Sequence, residues 1–138
     1  MPVAAVDVLI KARLDASWST CPVVGGIDGV LPETITEPPA GYDAFLVVQY
    51  PVVNGDKPVL RGKYFEEGAA RFVLNVKREI GQTQSLAWAD ALAVLFRDYK
   101  PGNGFETFMP SGPIVNDAID DANWVEYAVI VPYRYQYS

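Results

Sequence analysis

The chain has 138 residues, with 17 acidic and 11 basic side chains, a formal net charge of −6, no histidine and one cysteine. A chain of this size folds as one domain and buries roughly two thirds of its unfolded surface, enough for a core without staples. Without histidine, Ser-His-Asp and Cys-His nucleophiles and every His-bearing metal site are excluded, and Cys21 alone makes neither an intrachain disulfide nor a metal cluster.

Val3, Val6, Ile10 and Leu14 recur at near-helical spacing, which predicts a short amphipathic helix over 2–16, with Pro2 in its first turn. Residues 17–43 hold Pro22, Gly25, Gly26, Gly29, Pro32, Pro38, Pro39 and Gly41 and keep no period, so a long irregular arm or covering loop is expected there. Ala44–Tyr50 is a nearly continuous apolar run, the pattern of a strand buried on both faces. Asn54-Gly55 reads as a tight turn, 59–65 as a weaker strand and Glu66-Glu67-Gly68 as the next turn. From 69 to 77, Ala70, Phe72, Leu74 and Val76 alternate with Arg71, Asn75 and Lys77, as in a half-buried strand.

Thr83 or Ser85 can cap the next element, where Trp88, Leu92, Leu95, Phe96 and Tyr99 recur at helical spacing among four alanines, predicting a helix over 83–99. Strands follow over 105–109 and 114–119. The last, 124–135, carries Val125, Tyr127, Val129 and Val131 on one face, with Pro132 marking an edge, a bulge or an end. Strands in groups with two helices give a single α+β domain spanning 1–138: one mostly antiparallel sheet, both helices on one face, and the irregular arm near the N-terminus.

No catalytic, cofactor or metal site assembles from these residues. Asn116, Asp117, Asp120, Asp121 and Glu126 match no calcium loop, and Gly25-Gly26 with Gly29 lacks the strand, helix and lysine of a phosphate cradle. Cys21 has no base near it in sequence and reads as an inert, partly buried thiol. No basic and apolar leader opens the chain and no apolar run nears the ~20 residues of a membrane span, so a soluble protein made in a reducing cytoplasm is expected.

The charge is segregated. Six acids and no base lie between Arg13 and Lys57, and five acids and no base lie between Lys100 and Arg134, around a middle with eight bases and five acids. That balance disfavours a phosphate-gripping, nucleic-acid-reading role. Tyr127, Tyr133, Tyr135 and Tyr137 crowd the last strand, a composition suited to subunit contacts.

Taken in order, several pieces resemble the tail terminator (tail completion) proteins of long-tailed bacteriophages. They are an N-terminal helix leading into Trp18-Ser19-Thr20-Cys21-Pro22, an apolar strand ending Gln49-Tyr50-Pro51, the strand from Arg71 running through Gly81 into the helix of Ala89-Asp90-Ala91-Leu92 and Leu95-Phe96, and the closing run Asn123-Trp124-Val125 to Ile130-Val131-Pro132-Tyr133-Arg134-Tyr135. The long Gly/Pro segment 22–41 departs from that pattern. The resemblance implies a virion protein of the head-proximal tail end, assembled in the host cytoplasm, without enzymatic activity or cofactor. It would form a homohexameric ring that caps the tail tube, stops its polymerisation and joins the head-tail connector, with DNA passing through the lumen and no membrane contact. Within that expectation, Arg61, Lys63 and Arg71 face Glu66, Glu67 or the 28–43 segment across subunits, and Asp117, Asp120 and Asp121 line the lumen. The alternatives are another neck, head-completion or tail-tube protein, or a non-catalytic small-molecule-binding α+β domain.

Overall fold

A computed structural model describes residues 4–26, 31–33, 41–59, 63–102, 104–116 and 124–137. The order is helix α1 (Ala4–Ser17), strands β1 (Ala44–Val59) and β2 (Lys63–Lys77), one 3-10 turn (Arg78–Ile80), helix α2 (Gln82–Phe96), and strands β3 (Phe105–Thr107), β4 (Ser111–Asn116) and β5 (Trp124–Tyr137). The sheet has five strands, all paired antiparallel, in the order β1-β2-β5, with β3 and β4 both on the far side of β5. The fold class is therefore α+β, as the grouping of strands and helices predicted.

Alternation sets two faces. On the inner face Leu46, Phe72, Leu74, Val76 and Val129 are 0% exposed. They form one core with Val6, Ile10 and Leu14 of α1 and with Ala89, Leu92 and Phe96 of α2. Phe72 and Phe96 stack with ring centroids 4.8 Å apart. The helices also meet directly: Arg13 Nε donates to the Leu95 carbonyl at 3.3 Å, and its guanidinium lies 4.5 Å from the centre of the Tyr99 ring. The buried stripe of α2 runs through Ser85, Ala89, Leu92, Ala93 and Phe96, leaving Trp88 and Leu95 only partly buried. The small side chains bring the helix close to the sheet. Ser85 is tolerated inside because its hydroxyl donates to the Gly81 carbonyl at 2.8 Å.

Thr107 closes the far end of α2. Its hydroxyl donates to the Phe96 carbonyl, its N–H donates to the Tyr99 carbonyl at 2.9 Å, and its Oγ1 accepts from the Tyr99 N–H at 2.9 Å. Carbonyls left over at the helix C-terminus are thus satisfied by a strand residue.

Two expectations are corrected and one is not confirmed. Asn54-Gly55 is no hairpin turn, because β1 runs on to Val59. It absorbs one extra residue between Gln49 and Val52 and another between Asn54 and Lys57, so the signal belongs to a bulge. Glu66-Glu67-Gly68 is no turn either, but the middle of β2. Glycine is needed there for space: a Cβ on Gly68 would lie 2.4 Å from the Val52 carbonyl oxygen and 3.0 Å from the Tyr133 hydroxyl. The N-terminal helix is where its spacing predicted it, over Ala4–Ser17, and a long irregular arm is not confirmed: the described parts of the segment behind the helix lie against the sheet, as a covering loop does. Leu46 exchanges backbone hydrogen bonds with Pro22 and Val24, at 3.0 and 2.8 Å, which covers the β1 edge at that point. Val24 and Leu31 are buried with Phe45 and Trp124 on the outer face.

Pro132 sits in β5, an interior strand, which its missing N–H would ordinarily forbid. Its carbonyl accepts from the Phe108 N–H at 3.0 Å, and in a strand a residue's N and O point the same way. The absent donor therefore faces Phe108, between the end of the β3 ladder at Thr107 and the start of the β4 ladder at Ser111.

Candidate functional site

The sheet face away from the helices is the candidate site. Following the register across the strands gives its rows. Val47, Val73, Ala128 and Ile114 form one apolar row. Gln49, Arg71, Ile130 and Ser111 form the next. A second apolar row follows with Val52, Ala69 and Pro132, ending at Phe108. Beyond it, Asn54, Glu67, Arg134 and Glu106 form a polar border. Arg71 is thus flanked by an apolar row on each side.

The border is held by ion pairs. Arg134 bonds Glu106 at 2.6 Å, Lys100 reaches the other Glu106 oxygen at 3.4 Å, and the Arg134 guanidinium lies 5.5 Å from the Phe65 ring centre. Arg134, directly across the strand pair from Glu67, is therefore already engaged within the chain.

One margin of this face is the β3–β4 edge. Thr107 to Asn116 contains no charged residue. Phe108, Met109, Ile114 and Val115 are exposed there, Met109 at 61% and Ile114 at 55%. Ile114 lies on the outer face and Val115 on the inner one, so these side chains follow the edge; exposed apolar residues gathered in this way mark interaction sites. The edge does not invite simple strand addition, because Pro110, Pro113 and the register shift between Ser111 and Ile114 interrupt its ladder. Recognition there falls to side chains.

The residues nominated from sequence as contacts separate. Arg71 is half-buried in the middle of the outer face and Glu67 is exposed at its border. Lys63 opens β2, paired with Val59, and Arg61 lies outside the described residues. Glu66 points the other way: it is 2% exposed, and its carboxylate accepts from the Tyr133 hydroxyl at 3.2 Å. Nearby, Tyr50 donates to Asp7 at 2.6 Å and Lys11 pairs with the other Asp7 oxygen at 3.2 Å, tying α1 to β1. Burial first, then the adjacent carboxylates, push the Tyr50 and Tyr133 hydroxyls above the ordinary tyrosine range. Asp117, Asp120 and Asp121, nominated for a lumen, lie outside the described residues. Cys21 is half-buried, and burial pushes its thiol up to about 11.

Sequence reasoning missed the edge residues Phe108, Met109, Ile114 and Val115, which read as ordinary strand apolars. Their available signal was the absence of charge over ten residues that include two prolines. No described helix is long and apolar enough to cross a membrane.

No family model matches the chain, and no curated protein sequence matches it.

Proposed function

We propose that the protein is a structural, non-catalytic subunit of a long-tailed phage virion, a tail terminator whose ring caps the tail tube and offers the surface that joins the head-tail connector. The observation that carries this reading is the outer sheet face: two apolar rows flank Arg71 and run out to an uncharged, apolar edge. A flat surface of that chemistry suits protein contacts better than a small ligand, which favours a concave pocket.

In a closed ring the contacts are heterologous, so two different patches of one subunit must fit each other. Arg71, with Arg61 and Lys63, supplies the basic patch, and Glu67 the acidic one, since Glu66 is engaged inside its own chain. Charge of this kind sets register more than affinity. The segment anchored at Val24 and Leu31 serves as a covering arm. Asp117, Asp120 and Asp121 give the lumen a charge that repels the DNA backbone.

Mass photometry and negative-stain microscopy of the purified protein, alone and with tail-tube protein, test the reading. A ring that stops at one layer and caps tubes is expected. A monomer indifferent to tubes overturns it, and continued polymerisation assigns the chain to the tube instead. A ring structure with all three aspartates on its outer wall removes the lumen assignment alone.

A further inference from the structure

We propose that Cys21 is a modification site, its thiol oxidised by hydrogen peroxide to a sulfenic acid whose oxygen is held in a small cavity against the Trp18 indole N–H. This does not rest on the tail-terminator reading. The cavity, about 40 Å³, lies beside the end of α1 and is lined by Lys11, Asp15, Trp18, Cys21 and Gly26, among others. A water's share of the liquid is ~30 Å³, so the space takes an oxygen atom and no second thiol-bearing molecule.

Two independent observations meet there. Trp18 is 8% exposed, and its Nε1 is the one buried side-chain nitrogen or oxygen without a hydrogen-bond partner among the described residues. A buried donor left unpaired carries its full desolvation cost, which an acceptor in the cavity would remove. The second is Cys21 itself, half-buried and the only thiol of the chain. The indole N–H lies near enough to the sulfur to hold the thiol down slightly against the effect of burial, yet makes no hydrogen bond of ordinary geometry to it. Sulfur is a weak acceptor. An oxygen carried on that sulfur is a stronger one and reaches one atom further.

The step is a two-electron oxidation. The sulfur attacks one peroxide oxygen, an S–O bond forms as the O–O bond breaks, and the departing hydroxide takes up the thiol proton, leaving the sulfenic acid and water. Sulfur is oxidised and the peroxide reduced. Burial pushes the thiol up to about 11, so the attacking thiolate is scarce near neutrality and the step is slow. The product persists. The chain has no second cysteine to condense with it. Further oxidation would put a sulfinate anion into a wall that already carries the Asp15 carboxylate, while the Lys11 ammonium is paired with Asp7 at 3.2 Å. A slow, lasting mark of this kind records sustained peroxide exposure. Its place gives it a structural effect. The Trp18 N–H of the backbone donates to the Leu14 carbonyl at 2.7 Å, and the Pro22 carbonyl accepts from the Leu46 N–H at 3.0 Å. A bond from Cys21 to the Trp18 indole therefore tightens the joint between α1 and β1.

The test is peroxide treatment of the full chain at mildly alkaline pH, quenching with catalase, then trapping with dimedone in urea and peptide mass spectrometry. A dimedone adduct on Cys21 is expected after oxidation of the folded protein, whereas the chain oxidised in urea runs on to sulfinic and sulfonic acid. Trp18→Phe keeps a ring and removes the N–H, and should leave severalfold less adduct. A second readout needs no variant at the site. Of the three indole N–H resonances of the ¹⁵N-labelled protein, that of Trp18 should shift on oxidation and return with dithiothreitol, while those of Trp88 and Trp124 stay. Trp88→Phe and Trp124→Phe assign the signal by elimination if Trp18→Phe does not fold. The proposal is overturned if folded Cys21 yields no adduct, which leaves the cavity a place for water alone. It is equally overturned if Cys21 passes straight to sulfinic acid as in urea, if Trp18→Phe keeps the full adduct, or if the Trp18 resonance is indifferent to oxidation.

Discussion

The two faces of one sheet are built from the same strands and differ in almost everything else. Inward, Leu46, Phe72, Leu74, Val76 and Val129 are sealed under both helices, and the polar groups admitted there, such as Glu66 and Thr107, have partners. Outward, the rows alternate apolar and polar, Arg71 stands between two apolar rows, and the edge residues meet solvent. The inner face specifies the fold; on the outer face Phe45, Val73, Trp124 and Ala128 are also buried, and what stands open is the edge with Phe108, Met109 and Ile114. Substitutions on the inner face should therefore cost stability, and those at the open edge should cost association while leaving stability nearly intact.

The largest effect is expected at the centre of the inner face. Phe72→Ala removes a ring stacked on Phe96 and leaves a cavity between sheet and helix, and should cost about 3–5 kcal/mol in urea unfolding. Gly68→Ala comes next. Its Cβ would strike the Val52 carbonyl and the Tyr133 hydroxyl, so the strands must part, and a loss of about 1–3 kcal/mol is expected in thermal denaturation. A wild-type Tm for Gly68→Ala would break the account of why glycine stands mid-strand.

These two sites also show what the sequence did and did not disclose. The alternation Ala70, Phe72, Leu74, Val76 and that of Val125, Tyr127, Val129, Val131 gave the inner face directly, because a period of two is a local property of a strand. Both helices were legible from their apolar stripes, although the buried stripe of α2 shifted toward Ser85 and Ala89. Turn signals misled at Asn54-Gly55 and at Gly68, because glycine serves a bulge or a crossing ring as readily as a turn, and only the neighbouring strand distinguishes them. The outer face was illegible for the same reason. Its rows are made by residues from all five strands, whose register no local pattern reveals. Arg71 was nominated for its charge, whereas the apolar rows around it appear only after pairing.

A subtler test uses the buried hydroxyls. Tyr50 and Tyr133 are raised above the unfolded tyrosine value of about 10, so their contribution is fully present below that pH and is lost as pH rises toward the folded values. Cys21, raised from 9.0 to about 11, adds a loss of the same sign that begins lower. Denaturation midpoints should fall from pH 9 upward in the wild type, about pH 10 being where the tyrosines join. Cys21→Ser should remove the early part, and Tyr50→Phe or Tyr133→Phe should flatten the later part. If the alkaline fall survives all three substitutions, other groups control it.

The smallest stability effects, and the sharpest use of the comparison, lie on the outer face. Glu106 binds both Arg134 and Lys100, yet both cations are open to solvent, so Glu106→Gln should shift stability by about 1 kcal/mol or less. Phe108→Ser with Met109→Ser touches exposed side chains beyond the end of β3 and should stay within about 0.5 kcal/mol of wild type. Association should respond in the opposite order: the double serine variant loses self-assembly or tube capping, whereas Glu106→Gln retains it. Apolar area drives contact through desolvation, while a border charge already paired within its own chain has little left to offer a partner. Measuring unfolding and mass photometry on the same two variants separates the roles. If the double serine variant unfolds readily, the edge belongs to the core; if it folds and assembles as wild type does, the contact surface lies elsewhere on the chain.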